Sequence, residues 1–348
     1  MALLKYNNIG ISALAACVPK QKQSNLDLIP YFGEKEISSI IKSTGIKERR
    51  VTDSKTTASD LCFAAAEKLF HDFDVNRNSI DILIFLSQDS DYKIPATAPG
   101  LQHRLSLSKT TAAFDISLSC SGYIYALSVA FSLVSQDNID KVLLLDGETF
   151  SKLVNLKDKS NAPLYGDAGT ATLIEKGNYG ASVFSLNSDG SGIDALKIDA
   201  GGARNPTDEN NVSEQTYPNG DIRTPHQLYM DGKKIFDFSL LHVPDDISKI
   251  LEISGNTPES VDLLILHQAN KFITDYFRKR LKFPEEKVPY SIDRFGNTSS
   301  ASIPLTIVTE TKSIKRDNVI LSGFGAGLSW ATAQLELKNC RICDLLEI

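Results

Sequence analysis

Several things are scarce in this chain of 348 residues. No apolar run reaches the roughly 18–20 residues that a membrane-spanning helix needs. The first residues, MALLKYNNIGISALAACVPK, are apolar but have neither the basic start nor the long apolar core of a secretory leader, so none is expected and Ile9–Val18 reads as a first strand. Five cysteines in a chain of this length do not make a disulfide framework, which implies a reducing, cytoplasmic setting. Positive charge is also short. With 37 Lys and Arg against 43 Asp and Glu the net charge is −6, which argues against nucleic-acid binding as a bulk property. No convincing cluster of metal-ligating side chains stands out. What is present is the composition of a globular protein, 42% apolar and 23% charged, with length enough for one elaborate domain or two packed ones.

The halves of the chain resemble each other. SIDILIFLSQ (79–88) matches SVDLLILHQA (260–269), and IDKVLLLDGE (139–148) matches RDNVILSGFG (316–325). Cys120 stands 22 residues before Val142, and Asn297 stands the same distance before Val319. Cys120 and Asn297 therefore fall at equivalent helix entries, and His267 aligns with Leu86 at a strand's C-terminal end. Apolar runs predict strands at 81–86, 111–117, 141–146, 169–174, 261–266 and 318–322. Periodicity predicts helices at 58–71, 121–135, 235–253, 269–282 and 299–312. The 121–135 segment is apolar on nearly every side and should be buried. Such alternation implies an α/β protein. Two duplicated halves around buried central helices give a five-layered α/β/α/β/α sandwich. The halves are expected to be 1–178, carrying Cys120, and 179–348, carrying His267 and Asn297, with the break in the turn-rich EKGNYG. Residues 201–223, rich in Gly, Asn and Pro, read as a surface excursion.

Cys120 is the first candidate for chemistry. A thiol reacts as thiolate, and a helix N-terminus stabilises that charge. Gly122 would keep the first turn open to a substrate. Cys17 and Cys62 read as packing residues. In LHQAN, His267 follows a strand directly, at the sheet edge where α/β proteins place their sites. Asn297 in GNTSSAS suits a helix N-cap as well as a donor role. The turn in SGFGAGLSW can bring backbone N–H groups to a substrate oxygen. Asp167 in YGDAGTA reads as a turn brace. His71, His103, His226 and His242 have no comparable setting.

Taken together, STGIKERR, DISLSCSGYIYAL, YGDAGTA, MDGKKIF, LHQAN, GNTSSASIP and GFGAGLSW, in this order, resemble a type III β-ketoacyl-acyl carrier protein synthase of the thiolase superfamily. The resemblance covers nearly the whole chain. It implies that Cys120 takes an acyl group from a thioester, with the N–H groups of Cys120 and Ala326 as the oxyanion hole. It implies that His267 and Asn297 then hydrogen-bond the malonyl thioester carbonyl and stabilise the enolate left by loss of CO2. One such donor is worth about 3–4 kcal/mol. No metal or redox cofactor is implied; substrates arrive as acyl-CoA or acyl-carrier thioesters.

The same resemblance implies a homodimer, with Ile94 at the position where the partner helps wall the acyl pocket. Phe324 matches a pocket-gating aromatic, and Gly232 and Asn270 match residues of the pantetheine tunnel. The adenine clamp of coenzyme A binders departs from the pattern, since its Trp and Arg positions read Ser39 and Lys159, and a nearby Arg position reads Ser43. Efficient use of free acetyl-CoA is therefore not expected. Lys271, Arg278 and Lys282, with Lys279 at the edge, are expected to face an acidic acyl carrier protein, while Phe272, Ile273, Tyr276 and Phe277 turn inward. The tail NCRICDLLEI carries one Cys-x-x-Cys pair, Cys340 and Cys343, a weak redox or metal signal; a short helix packing Leu345 and Leu346 is the plainer expectation. Competing functions are acyl transfer from Cys120 to an alcohol or amine, or non-catalytic acyl binding. A thiolase would want a second cysteine near the final glycine-rich turn, and a hydroxymethylglutaryl-type synthase a catalytic Glu; neither can be placed.

Overall fold

The computed structural model describes residues 2–348. Two mixed sheets share one pattern. In the first, the neighbouring strands are Ile9–Val18, Ala168–Lys176, Lys141–Glu148, Ile82–Leu86 and Ala112–Ile116. In the second, they are Ala2–Tyr6, Ser182–Ser188, Ser329–Leu335, Val319–Gly325 and Leu263–Leu266. Lys141–Glu148 runs antiparallel to Ala168–Lys176 and parallel to Ile82–Leu86. Val319–Gly325 runs antiparallel to Ser329–Leu335 and parallel to Leu263–Leu266. Ile82 pairs with Val142 as Leu263 pairs with Val319, so the internal repeat is a repeat of topology and register.

Between the sheets lie two apolar helices, Gly122–Val134 and Ser302–Glu310. Tyr123, Ile124, Leu127 and Phe131 of the first are fully buried, each worth roughly 1.5–3 kcal/mol of burial. Ala58–Phe73 covers the outer face of the first sheet. Gly232–Ser254 and Lys271–Arg280 cover the second. That completes the five-layered α/β sandwich of the thiolase type. No helix among the described residues is long and apolar enough to cross a membrane.

The termini cross between the halves. Ala2–Tyr6, not Ile9–Val18, is the first strand and pairs with Ser182–Ser188 in the second sheet. The tail returns to the first sheet, where Arg341–Ile342 and Leu346–Glu347 pair with Ile9–Val18. A cut at 178/179 thus leaves one strand of the second sheet and two short strands of the first on the wrong side. The tail is extended rather than helical, so its side chains alternate between faces. Cys340 and Leu345 join the central core, whereas Cys343 and Leu346 join the outer one. The two thiols of the Cys-x-x-Cys pair are free and buried in different layers. Glu347 also pairs with the buried Arg50 at 2.7 Å.

Residues 201–223 form turns and one two-residue hairpin, as an excursion should, but their end is anchored. Arg223 is buried, 3.4 Å from Asp158, with its guanidinium 3.6 Å from the Tyr217 ring centre.

Candidate active site

The edge strand Ala112–Ile116 ends, five residues turn, and the helix beginning at Gly122 enters the core. Cys120 sits in that turn and is buried. Glycine is required around it for close packing. A Cβ on Gly122 would meet Leu86 Cδ1 at 2.9 Å, so this glycine lets the helix entry rest on the neighbouring strand rather than holding it open. A Cβ on Gly323 would meet the Cys120 carbonyl oxygen at 2.7 Å, and one on Gly325 would lie 3.1 Å from its Sγ. The glycine-rich strand end is thereby pressed against the thiol. Ser121 Oγ and Ser329 Oγ, 2.7 Å apart, and Ser329 Oγ donating to the Ala326 carbonyl at 2.8 Å, fasten the loop carrying Ala326 to the Cys120 turn.

His267 continues the parallel pairing, its N–H donating to the Ser322 carbonyl at 2.8 Å, and its side chain is buried. The ring packs edge-on to Phe324 with centres 5.4 Å apart. Nδ1 lies 2.8 Å from Ser302 Oγ, which also accepts the Gln268 N–H at 3.3 Å. A hydroxyl that already accepts is free to donate its proton to Nδ1, which leaves Nε2 as the N–H. Burial pushes the imidazole pKa down to about 3, partly opposed by a backbone hydrogen bond at Ser299. The ring is therefore neutral at physiological pH and suited to donating a hydrogen bond.

Asn297 is held as a backbone bridge opposite Tyr165, its N–H on the Leu164 carbonyl at 2.8 Å and its carbonyl on the Gly166 N–H at 3.1 Å. Its Oδ1 accepts the Ser299 N–H at 2.9 Å, which assigns the amide orientation and directs the NH2 group elsewhere as a donor. The preceding Gly296 has φ 67° and lies against the side chain of the buried Arg49, which donates to Asn25 Oδ1 at 3.0 Å.

Ser299 joins the three. Its Oγ is 3.7 Å from Cys120 Sγ, its N–H is held by Asn297, and its backbone lies beside the His267 ring. Motif reading treated the run TSSAS only as a helix entry and missed Ser299, Ser302 and also Ser119, whose Oγ is 3.5 Å from Sγ. It missed Asp146 as well, a carboxylate inside the strand KVLLLDGE. Ser300 Oγ donates to Asp146 Oδ1 at 2.6 Å, and burial raises the Asp146 pKa to about 8. A carboxylate directly after the apolar run Val142–Leu145, inside a buried strand, was the available signal. Asp167 is the expected brace, accepting from the N–H and hydroxyl groups of Thr52 and Ser151.

A cavity of about 360 Å³ begins beside Ser119, Ala326 and Gly327 and is walled by Phe150, Leu153, Leu196 and Leu228. Ile94 does not line it; it is 88% exposed. Phe324 is buried under His267. Gly232 opens its helix, and a Cβ there would meet nothing within 4 Å. Asn270 caps the Lys271–Arg280 helix, its Oδ1 accepting the Ile273 N–H at 2.9 Å. Lys159 Nζ lies 3.2 Å from Glu36 Oε1, while Ser39 and Ser43 are exposed.

The basic helix face differs from expectation in two places. Lys271, Lys279 and Lys282 are exposed, but the Arg278 side chain is only 16% exposed and lies between Asp275 and Glu285. Phe272 is 57% exposed instead of inward, and its ring packs on Phe236, with centres 5.7 Å apart. The helix is rotated so that Ile273 and Phe277 carry the core contact.

A duplicated α/β sandwich with a cysteine at one buried helix entry, and a histidine and an asparagine gathered beside it, defines an acyl-transferring enzyme of the thiolase type. Two family models match, 3-oxoacyl-[acyl-carrier-protein] synthase III over residues 114–192 and its C-terminal part over 251–337. A putative 3-oxoacyl-[acyl-carrier-protein] synthase 3 of Campylobacter jejuni is 34% identical over 346 residues, 98% of each chain. A β-ketoacyl-[acyl-carrier-protein] synthase III of Caldanaerobacter subterraneus is 34% identical, covering 94% of this chain and 97% of its own. The solved 3-oxoacyl-(acyl-carrier protein) synthase of Burkholderia xenovorans superposes with a TM-score of 0.93 at 37% identity, over 100% of this chain and 99% of that one. The chain belongs to the 3-oxoacyl-[acyl-carrier-protein] synthase III family.

Proposed function

We propose that this protein condenses an acyl primer, held as a thioester on Cys120, with malonyl-acyl carrier protein to give a β-ketoacyl-acyl carrier protein and CO2. The observation that carries the residue assignment is the meeting of Cys120, His267 and Asn297 around Ser299. In the first step Sγ attacks the primer's thioester carbonyl, the bond to the donor sulfur breaks, and the thiol proton leaves on that sulfur. The N–H groups of Cys120 and Ala326 receive the oxyanion. In the second step the malonyl carbon–carboxylate bond breaks and CO2 departs. The electron pair passes to the thioester oxygen, where His267 Nε2–H and the Asn297 amide donate. The enolate carbon then attacks the acyl-cysteine and frees the thiolate, which takes a proton from solvent to restore the thiol. A neutral imidazole with so depressed a pKa is a weak base, which disfavours acyl transfer to an alcohol or amine by deprotonation at His267.

The cavity beside Ser119 takes the primer, and Gly232 and Asn270 flank the entry of the carrier's arm. The protein works as a homodimer in the cytoplasm. Support for pairing is the exposure of Ile94 and Tyr92 near the edge strand Ala112–Ile116, whose outer side has no neighbouring strand among the described residues. Ile94 of each chain then closes the other's primer pocket, while Phe324, buried under His267, gates it from within. The primer comes on a carrier protein in preference to coenzyme A. An ion pair between Lys159 and Glu36 occupies the place of the adenine clamp, and no aromatic stands at Ser39. Lys271, Lys279 and Lys282 receive the acidic carrier. Intact-mass measurement after incubation with matched acyl-CoA and acyl-carrier thioesters tests the reading. A Cys120 adduct from the carrier donor, with slower labelling from coenzyme A, is expected. Absence of any adduct on Cys120 would overturn the reading, and equal labelling would overturn the donor preference.

A further inference from the structure

A buried sulfur has to carry negative charge in this site, and burial alone pushes the Cys120 thiol pKa up. The groups acting on it in the opposite direction are two hydroxyls and its own amide, not a cation. His267 is neutral and supplies no charge. Ser119 Oγ is 3.5 Å from Sγ, Ser299 Oγ is 3.7 Å from it, and the two oxygens are 3.2 Å apart. All three residues are buried. Sulfur and two oxygens form a closed triangle in which each hydroxyl can turn about its C–O bond.

We propose that Ser119 and Ser299 are a hydroxyl pair that stabilises the Cys120 thiolate, turning both protons onto the sulfur as it becomes an anion. With the thiol protonated, the hydroxyls bond to each other and one accepts the S–H. With the thiol ionised, both donate to sulfur and the bond between them is given up. No heavy atom has to move. In acylation the thiol proton ends on the departing donor sulfur, so the step balances without a further reactant. Hydrogen bonds to a charged group contribute more than neutral ones, which is why the pair matters more to thiolate than to thiol. Other titratable groups that feel the sulfur are Asp146 and Tyr165, whose pKa values its charge raises. Neither brings a positive charge to the thiolate.

This inference rests on Cys120 being the nucleophile, but its test needs no acyl donor. The rate of Cys120 alkylation by iodoacetamide, mapped to its peptide by mass spectrometry, is followed against pH. Ser119→Ala and Ser299→Ala are each expected to move the inflection upward and slow alkylation at neutral pH by about tenfold, since one pKa unit is tenfold in thiolate. Ser119→Thr keeps a hydroxyl and should retain the parent profile. Ser119→Val has the same shape without it and should not, which keeps the test valid if an alanine variant fails to fold. Parent-like inflections in both alanine variants, or a Val variant matching the Thr variant, would overturn the pair. A shifted inflection in a protein that never accepts an acyl group would leave the pair standing and remove the proposed reaction instead.

Discussion

The two halves share strand order, direction and register yet end differently. Where Ile82–Leu86 finishes, Leu86 packs against Gly122. Where Leu263–Leu266 finishes, His267 sits between Ser302 and Phe324. At the matching helix entries stand Cys120 and Asn297. The duplication thus supplies equivalent places around one central layer, and only some of them carry chemistry. One half contributes a sulfur and a packing leucine, the other two hydrogen-bond donors. The entries meet because both central helices lie between the same sheets, which brings Ser299 to Cys120 from 179 residues away.

The comparison breaks most sharply at the sulfur. Cys120→Ala is expected to abolish the acyl adduct and lower condensation by about 10⁴-fold or more, read by intact mass and product formation. His267→Ala and Asn297→Ala should each lower the condensation rate by roughly 10²–10³-fold while the Cys120 adduct still forms. Single-turnover acylation separates the two effects. If both donors were needed for the adduct itself, the division of labour between halves would be wrong. The packing position should behave in the opposite way. Leu86→Ala is expected to cost about 2–5 kcal/mol of stability in chemical denaturation.

The smallest effects sharpen the comparison through pH. His267 is held near 3 against an ordinary 6.5, so between those values the unfolded chain binds a proton that the folded one declines. Stability contributed there falls as pH drops from about 6.5 towards 3. Asp146 is raised from 3.8 to about 8, so its folded form keeps a proton that the unfolded chain releases, and stability falls as pH rises from about 4 to 8. His267→Gln should flatten the acid side of a melting-temperature profile and Asp146→Asn the alkaline side. An Asp146→Asn profile parallel to the parent's would show that this carboxyl is ionised in the fold.

The repeated strands were legible because buried strands with apolar neighbours on both faces read as continuous apolar runs. Ser182–Ser188 and Ser329–Leu335 escaped notice because serine, threonine and asparagine interrupt them. Those polar groups are satisfied across the fold, as where Ser185 and Asn187 donate to the buried Asp246 at 2.5 and 3.0 Å. The Cys120, His267 and Asn297 positions were legible as element ends. Arg278 and Phe272 were misplaced because helical spacing gives a periodicity but not the rotation at which the helix meets its sheet. The tail was misread for a similar reason, since pairing with Ile9–Val18 overrides local preference.

By itself, then, the amino-acid order determined that the chain is a duplicated α/β sandwich and which residue types sit at the strand and helix ends, because buried strands and helix entries leave local patterns. Only the tertiary structure decided that Ser119 and Ser299 face the same sulfur, that Asp146 reaches Ser300, and that Cys340 and Cys343 part into different layers. A side chain's partner across a core is set by packing between segments far apart in the chain, and no local pattern records it.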